Sequence, residues 1–387
     1  MAKTLKVLLV ATCSEISSGA TWSLIGLADN LKKMGVSVTI LLPLPGDCEE
    51  ILENHRISFH HIRYYSYPSW VCALDKKYIY LEQLTKKVIN FIAHIRLFLF
   101  IIINKIDIVH INAFTSCLGA IEAKILGRKL VWHVREFMEQ DIKSRFSDEK
   151  KAIKRLNTAD YIVAVSTAVA KKNREYLCCA PIDVIYNGVS SKFYQNHKKF
   201  MSDGLLNVLI VGRIMPKKNQ LLACQAFKQL VQQGIDNIRL EIIGNIEDAE
   251  YYRIIQSFVK ENSLDNYISF AGPTDCIDIK YQSSDVVLVC ADNEAFGRTT
   301  VEAMMSGCLV IGSDSGGTTE IIDNNINGLL FVKKSAEDLS ERIRFAINHP
   351  EMMDTITKVA QKKANHKFSD YQNAKSILDV YQRVIAK

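Results

Sequence analysis

Short runs of apolar, often β-branched residues alternate along this chain with longer segments whose apolar residues recur at helical spacing. The beginning shows the rhythm, since KVLLVAT predicts a strand, WSLIGLADNLKKMG an amphipathic helix and VSVTILLPL a second strand. This order of strand, helix and strand is typical of a parallel sheet covered by helices on both faces. The pattern therefore predicts an α/β protein.

The rhythm occurs twice, on either side of the polar and basic stretch SSKFYQNHKKFMSDG at 190–204. Further strands are predicted before it at 106–112, 129–134, 159–166 and 182–189, and after it at 206–214, 238–244, 267–272, 285–291, 308–314 and 328–332. The sequence thus predicts two Rossmann-like domains that face a central cleft. The predicted division is an N-terminal domain at 1–190, a linker at 191–204, a C-terminal domain at 205–365, and a C-terminal helix at 366–387 that packs back toward the N-terminal domain.

Length and composition indicate the number of domains, and the charges are distributed unevenly between the two halves. The 387 residues are 48% hydrophobic and 23% charged, as in soluble globular proteins of two or more domains. Residues 1–204 contain 28 Lys and Arg against 19 Asp and Glu, a balance of +9, whereas residues 205–387 contain 20 against 23, a balance of −3; the sum is the net +6 of the chain. The first half is therefore expected to attract anions.

Cysteines and apolar segments indicate the compartment. The ten cysteines are scattered without a CxxC pair, so we interpret them as buried thiols in a reducing compartment, with neither a disulfide framework nor a zinc site. The beginning of the chain suits a first strand better than a secretion signal, and the longest apolar run, Leu97 to Ile103, is far shorter than the ~18 residues that span a bilayer. The sequence predicts a cytoplasmic protein with no membrane span.

Candidate binding residues follow three predicted strands of the second half, where a parallel sheet places its ligands. GRIMPKKN puts Arg213 and Lys218 after one strand, and a guanidinium and an ammonium suit a diphosphate. EAFGRTTVE puts Glu294, a carboxylate for sugar hydroxyls, before a predicted helix that carries Glu302. GGTTEII follows a third strand.

Each of these motifs also has an interpretation without a ligand. Taken alone, the basic loop is more typical of a solvated surface. The glycine pair at 316–317 is also typical of a tight turn, and Thr299 with Glu302 of a capping box that satisfies the helix start. The coincidence of three such loops around one sheet favours a site. No GxGxxG follows the first strand, where SEISSGATW supplies only Gly19, so a nicotinamide or flavin dinucleotide is disfavoured.

These motifs resemble those of the retaining glycosyltransferases of family 4, which have the GT-B fold. The resemblance includes YNGV at 186–189, Gly19 and His133 in WHVREF, and so covers nearly the whole chain. It implies a hexosyltransferase whose C-terminal domain binds a nucleotide sugar, with UDP favoured, and whose N-terminal domain binds the acceptor. The catalytic residues it implies are Arg213, Lys218, Glu294 and His133; the donor-binding residues are Gly19, Gly212, Gly244, Pro273, Phe296, Gly297, Arg298, Thr299 and Glu302.

The expected reaction uses neither a metal nor a cofactor. No Asp-x-Asp is present where a metal-dependent transferase would need one, so two cations and helix N–H groups must stabilise the leaving diphosphate. The resemblance implies retention, with acceptor attack from the side of the leaving group. The alternatives are a sugar-nucleotide epimerase of the same fold and a non-catalytic partner subunit; a nucleic-acid partner is disfavoured because no stacking platform or basic helix is evident.

One segment suggests a membrane partner. KKVINFIAHIRLFLFIIINK at 86–105 has basic residues around an apolar centre, and a core helix is its more frequent interpretation. Together with the basic first half and the aromatic residues Tyr64, Tyr65, Tyr67 and Trp70 near Arg63, it also predicts peripheral docking on the anionic inner face of a membrane. The expected acceptor is then a glycan or a lipid-linked glycan in bacterial surface polysaccharide assembly.

Overall fold

The computed structural model describes residues 4–16, 18–66, 69–74, 77, 80–138, 143–174, 176–177, 180–195 and 198–386. The chain divides into two compact units, a first unit of residues 1–188 with 370–387 and a second unit of residues 189–369. Tyr67 of the predicted aromatic group and the cysteines at 178 and 179 lie outside the described residues.

Among the described residues of the first unit, seven parallel strands form one sheet in the order β3-β2-β1-β5-β6-β8-β9. A short antiparallel pair, β4 and β7, lies beside it. The strands are β1 (Lys6–Val10), β2 (Ser37–Leu42), β3 (Ser58–His61), β4 (Val71–Ala73), β5 (Ile108–Ile111), β6 (Lys129–Val134), β7 (Ser144–Phe146), β8 (Tyr161–Ala164) and β9 (Ile182–Val184). The helices are α1 (Gly19–Lys33), α2 (Cys48–Asn54), α3 (Tyr80–Asn104), α4 (Ala120–Ile125), α5 (Glu149–Leu156) and α6 (Thr167–Lys172).

The described second unit holds a sheet of six parallel strands in the order β12-β11-β10-β13-β14-β15. Its strands are β10 (Leu206–Val211), β11 (Ile238–Ile243), β12 (Ile268–Gly272), β13 (Val286–Val289), β14 (Leu309–Ser313) and β15 (Leu329–Phe331). Its helices are α7 (Gln220–Gln232), α8 (Ala249–Glu261), α9 (Ile277–Ser283), α10 (Arg298–Met305), α11 (Thr318–Ile321), α12 (Ala336–Asn348) and α13 (Pro350–Lys367). The last helix, α14 (Asp370–Ile385), belongs to the first unit.

Apolar runs form the central strands because both faces of a parallel sheet are covered by helices. The first-unit core joins β1 and β2 with α1 and the inner face of α14, and the second-unit core joins β10 and β11 with α7 and α12. Burial of these runs is the main stabilising term of both units. The predicted strands of both halves are thus observed, whereas β3, β4 and β7, of three or four residues each, are too short to be predicted from an apolar pattern.

The C-terminal helix returns to the first unit, as predicted. Its beginning is possible because Gly26 of α1 has no side chain: a Cβ atom there would lie 2.5 Å from an Asp370 carboxylate oxygen. Arg383, near the end of α14, donates to Asp183 at 2.6 Å and to the Tyr161 hydroxyl at 2.7 Å. The predicted linker has its own anchors, since Phe193 and Phe200 are buried and 189–204 belongs to the second unit.

Candidate active site

The order of the second sheet locates a crevice. Strand β10 pairs with β11 on one side and with β13 on the other, so the chain leaves β10 and β13 in opposite directions around the sheet. Such a reversal of strand order separates the following loops and is where open α/β sheets bind ligands. A small pocket is lined here by Val211 at the end of β10 and Lys218 after it, and by Val289 at the end of β13 with Glu294 and Thr299 after it.

Lys218 and Glu294 form an ion pair across this crevice. The loop after β10 makes one 3₁₀ turn, Pro216–Lys218, and α7 starts from Asn219, whose φ of 60° lies in the left-handed region that asparagine tolerates. The Asn219 amide donates to Asp292 at 3.3 Å. Two side-chain contacts therefore join the loops after β10 and β13 and fix the Lys218 ammonium at the strand ends.

The ion pair keeps Glu294 ionised. Burial raises the pKa of its carboxyl, but the ammonium of Lys218, and beyond it the charges of Lys217 and Arg213, outweigh that effect and hold the pKa below its usual range. The side chains of Lys218 and Glu294 are 25% and 18% exposed. The site therefore offers water, or a ligand, both an acceptor-only carboxylate and an ammonium with further donors.

Helix α10 begins differently from the predicted capping box. Its N-cap is Gly297, with φ 104°, and no side chain caps the first turn, so the interpretation of Thr299 and Glu302 as a capping pair is wrong. The Glu302 carboxylate, only 8% exposed, instead accepts from Arg298 Nε at 2.7 Å and from the Tyr281 hydroxyl at 3.1 Å. Glu302 is thus held by Arg298 one turn earlier and by a buried tyrosine of α9.

The third loop closes against the second. The backbone N–H of Gly317 donates to the Glu294 carbonyl at 2.7 Å, which ties the glycine pair after β14 to the acidic loop after β13. Two buried hydroxyls at these helix starts, Thr300 and Thr318, have no hydrogen-bond partner in the described part of the chain. The three motifs of the second half thus meet at one edge of one sheet.

The remaining residues of the second half lie around the same edge. Gly244, with φ 153°, brings its loop so close that a Cβ atom would lie 1.9 Å from the Gly212 carbonyl oxygen, so only glycine fits. Pro273 is exposed after β12, and Phe296 is buried just before Gly297. The Arg213 guanidinium lies 3.3 Å from Glu247, and both side chains are about half exposed, at 52% and 48%.

His133 of the first unit lies near the end of β6 and is fully buried. Its Nδ1 lies 3.2 Å from Arg135 Nη2 and 3.3 Å from Nε2 of His110, whose Nδ1 lies 2.6 Å from the Tyr381 hydroxyl of α14. Burial first, and then the charge of Arg135, lower the pKa of His110 to about 3 and that of His133 well below its usual range. Both rings are therefore neutral at physiological pH.

The guanidinium of Arg135 determines which ring nitrogens carry hydrogen in this series of hydrogen bonds. Arginine has only donors, so Nδ1 of His133 must accept, and the ring hydrogen sits on Nε2. A bond from His110 to the same Nδ1 then requires the hydrogen on His110 Nε2, and His110 Nδ1 accepts from Tyr381. His133 Nε2 is buried without a partner among the described residues. The network thus ends on a neutral N–H donor.

The structure also gives the position of Gly19 and the hydrogen-bond partners of Arg135 in the first unit. Gly19 is the first residue of α1. Arg135 is buried, where it donates from Nε to Asn112 at 2.9 Å and from Nη1 to Asn187 of the YNGV motif. Its backbone N–H donates to the Glu136 carboxylate at 3.0 Å.

Comparison with known proteins identifies the family. Residues 17–193 match the family described as Glycosyltransferase Family 4, and residues 195–363 match the family described as Glycosyl transferases group 1. The chain belongs to glycosyltransferase family 4. Its fold is GT-B: a crystal structure of Anabaena HepE in complex with UDP-glucose superposes with a TM-score of 0.78 at 21% identity, over 98% of this chain and all of that one.

Two relatives of this family-4 chain come from an archaeon and a bacterium. An uncharacterized glycosyltransferase of Methanocaldococcus jannaschii is 28% identical over 228 residues, which are 58% of this chain and 60% of that protein. The lipopolysaccharide 1,2-N-acetylglucosaminetransferase of Salmonella typhimurium is 28% identical over 258 residues, 63% of each chain. The match thus spans less than two thirds of either relative.

Several polar partners of this family-4 chain were absent from the sequence prediction. His110 lies inside an apolar strand, and Tyr281 and Tyr381 lie on helices, where each reads as an ordinary core residue. Their contacts depend on pairings across 21 residues for Tyr281 and Glu302 and across 271 residues for His110 and Tyr381. The one available signal was a histidine at the same position of two neighbouring predicted strands, IVHI and VWHV.

Proposed function

We propose that the protein is a retaining, metal-independent glycosyltransferase that moves a sugar from a nucleotide sugar, with UDP favoured, to a glycan or lipid-linked acceptor. The observation that carries the proposal is the Lys218–Glu294 pair at the switch point of the second sheet. An ammonium suits the diphosphate and a carboxylate suits the sugar hydroxyls of one ligand. The second unit is then the donor-binding unit.

The chemistry requires charge stabilisation at one place. As the bond between the anomeric carbon and the diphosphate oxygen breaks, its electron pair passes to the diphosphate, and the acceptor oxygen forms the new bond on the same face of the sugar. The diphosphate takes the acceptor proton, so the products are the glycoside and the free nucleotide. Lys218 and Arg213 act on the leaving group, where fixed cations stabilise the transition state more than the ground state.

Metal independence follows from the same cations. Lys218 and Arg213 supply the positive charge that a divalent ion provides in other transferases. No cofactor is proposed, since the nucleotide sugar is itself a substrate.

Glu302 and the start of α10 complete the proposed donor site. Glu302 lies one turn inside α10 and its carboxylate is fixed by Arg298 and Tyr281, which suits a ribose hydroxyl pair. Gly297 lets the backbone of 296–298 approach the donor sugar closely. The base is expected near Gly244 and Pro273, and the role of His133 toward the sugar stays a prediction.

Relatives support the setting. One similar structure holds UDP-glucose, and one relative is a lipopolysaccharide N-acetylglucosaminetransferase. We therefore propose a role in bacterial surface polysaccharide assembly, in the cytoplasm at the inner face of the membrane, where the protein is peripherally bound.

A thermal-shift panel of UDP-, GDP-, ADP- and dTDP-sugars tests the proposal, because a ligand that binds only the folded state raises Tm. At least one donor is expected to stabilise the wild type, and Lys218→Ala to abolish the shift. Lys217→Ala, which changes the neighbouring lysine of the same turn, is the matched control and should retain it. If millimolar nucleotide sugars leave the wild-type Tm unchanged, the transferase proposal is wrong. If product analysis shows conversion of the donor without formation of a glycoside, the enzyme is an epimerase.

A further inference from the structure

The 25-residue helix α3 has two apolar faces, only one of which the protein covers. Ala93, Leu97 and Ile101 are buried in the first unit. In the described helix, ten further large apolar side chains are 44–80% exposed: Tyr80, Leu81, Leu84, Val88, Phe91, Ile92, Ile95, Leu99, Ile102 and Ile103. The interpretation of this segment as a core helix is therefore wrong for most of its surface.

The exposed residues form one continuous stripe. At about 100° per residue, they fall within an arc of about 140°, opposite the buried stripe. Lys87 and Arg96, both exposed, lie at the two edges of this arc. The one carboxylate described on the helix, Glu82, lies outside the arc and is paired with Lys86. An apolar face about 37 Å long is thus bordered on both sides by cations.

The neighbouring helices α4 and α5 also present apolar and basic side chains. Helix α4 is tied to α3 by the contact of His94 with Glu122, and it exposes Ile121 and Ile125. These isoleucines line a groove with Lys124 and with Lys151 and Lys154 of α5. The aromatic group predicted to dock is not part of this surface: Tyr64 and Trp70 are buried, and Tyr65 lies under the cations of Arg63 and Lys86.

We propose that the exposed face of α3, which we name the α3 face, inserts into the interfacial layer of an anionic bilayer, with Lys87, Arg96 and the α4–α5 lysines on lipid phosphates. An apolar stripe with cations at its edges is the pattern of helices that lie in a membrane surface. This inference rests on the proposed function, because it places a lipid-linked acceptor and the enzyme on one surface.

Two other arrangements of α3 fit the observations less well. By length and composition alone, α3 could cross a membrane, but the buried stripe at Ala93, Leu97 and Ile101 and the His94–Glu122 contact hold its second half against the first unit. A second copy seated on the α3 face by twofold symmetry would bring Lys87 and Arg96 against like charges, with Glu82 already paired. An anionic bilayer instead complements both edges.

Vesicle co-sedimentation of the full chain tests the proposal. The variant Phe91→Glu/Ile95→Glu puts two carboxylates at side chains that are 67% and 49% exposed; the matched control, Ile254→Glu/Ile326→Glu, makes the same change at side chains of the second unit that are 49% and 58% exposed. Because all four positions are exposed, both variants should keep the wild-type Tm.

The wild type and the control should sediment with vesicles of phosphatidylcholine and phosphatidylglycerol, less with phosphatidylcholine alone, and less as salt is raised. The α3-face variant should lose binding on the order of tenfold or more. Three results would overturn the proposal: wild type that remains in the supernatant, equal binding to both vesicle types, or a wild-type dimer in analytical ultracentrifugation that the α3-face variant abolishes.

The UDP-induced Tm shift separates this inference from the proposed function. The α3-face variant should keep the shift while it loses vesicle binding. Vesicle binding without any nucleotide shift in the wild type would retain the docking surface and refute the transferase proposal. A nucleotide-induced Tm shift without vesicle binding would retain the transferase proposal and refute the docking surface.

Discussion

The two units place different polar chemistry at the ends of similar strands. After β10 and β13, Lys218 and Glu294 are both charged and partly exposed. At the ends of β5 and β6, His110 and His133 are buried, neutral and bonded to each other. The difference shows that one architecture carries two kinds of polar site, because the second unit exposes a charged pair whereas the first holds a neutral donor in one fixed tautomer.

Removal of the charge at the second-unit site should have the largest effect. If Lys218 stabilises the leaving diphosphate, Lys218→Ala should lower the rate of nucleoside diphosphate release from the donor about 10²–10³-fold, or about 3–4 kcal/mol of transition-state stabilisation. The rate is measured with whichever donor stabilises the wild type. Lys217→Ala should stay within about threefold; a Lys218→Ala enzyme as fast as the wild type would remove the basis of the proposed mechanism.

Acid should disturb the first unit before the second. The folded-state pKa of His110, about 3, lies below the unfolded-state value of about 6.5, so the unfolded chain binds the proton first as pH falls. The free energy of unfolding should therefore fall below about pH 6.5, by about 2 kcal/mol at pH 5 for this histidine, with a further loss from His133. Glu294 has a lowered pKa, so its contribution persists until pH falls below about 4.

Urea unfolding between pH 5 and 8 measures this dependence. His110→Gln should flatten the curve by about 1.4 kcal/mol per pH unit below pH 6.5, even if it lowers stability at every pH. An unaltered slope in His110→Gln would mean that the buried network takes up its proton elsewhere.

The contrast between the units also explains what the sequence could predict. The strand-end loops of the second unit were identifiable because each motif lies within a few residues of an apolar run, and the order of strands then brings Lys218 and Glu294 together. The histidine network was not identifiable, because Tyr381 reaches His110 from a helix 271 residues later. Local pattern predicts elements and loop chemistry, whereas a buried polar contact depends on tertiary packing.

The start of α10 shows a second limit. Thr299 and Glu302 have the spacing of a capping box, but Gly297 ends the preceding loop in a left-handed conformation and Arg298 becomes the first helical residue. Glu302 then faces Arg298 and Tyr281. The sequence could not decide between the two, since both involve Glu302 and they differ by only two positions in where the helix begins.

A smaller effect on stability is expected from loss of the hydrogen bond between Tyr381 and His110 in the first unit. Tyr381→Phe removes the hydroxyl that donates to His110 Nδ1 and leaves that buried acceptor without its partner, which costs about 1–3 kcal/mol. Nitrogen-15 NMR of the histidine rings should show His110 changed and His133 still protonated on Nε2, because Arg135 alone fixes the latter. Tyr371→Phe, at a 59% exposed tyrosine of the same helix, is the control. If both rings keep their wild-type shifts and stability is unchanged, the deduced hydrogen positions are wrong.

The smallest effect is expected at the second cation of the donor site. The Arg213–Glu247 pair is about half exposed, and such pairs contribute roughly 0–1 kcal/mol, so Glu247→Gln should shift Tm by no more than about 2 °C. UDP affinity should stay the same or rise a few-fold, because a guanidinium released from a carboxylate is available to a diphosphate.

Glu294→Gln provides the contrast, since it leaves the less exposed Lys218 without its carboxylate and removes a proposed sugar contact. A tenfold loss of UDP affinity in Glu247→Gln, measured by calorimetry, would show that this surface pair positions Arg213, and exposure would then be a poor guide to which of the two pairs the donor requires.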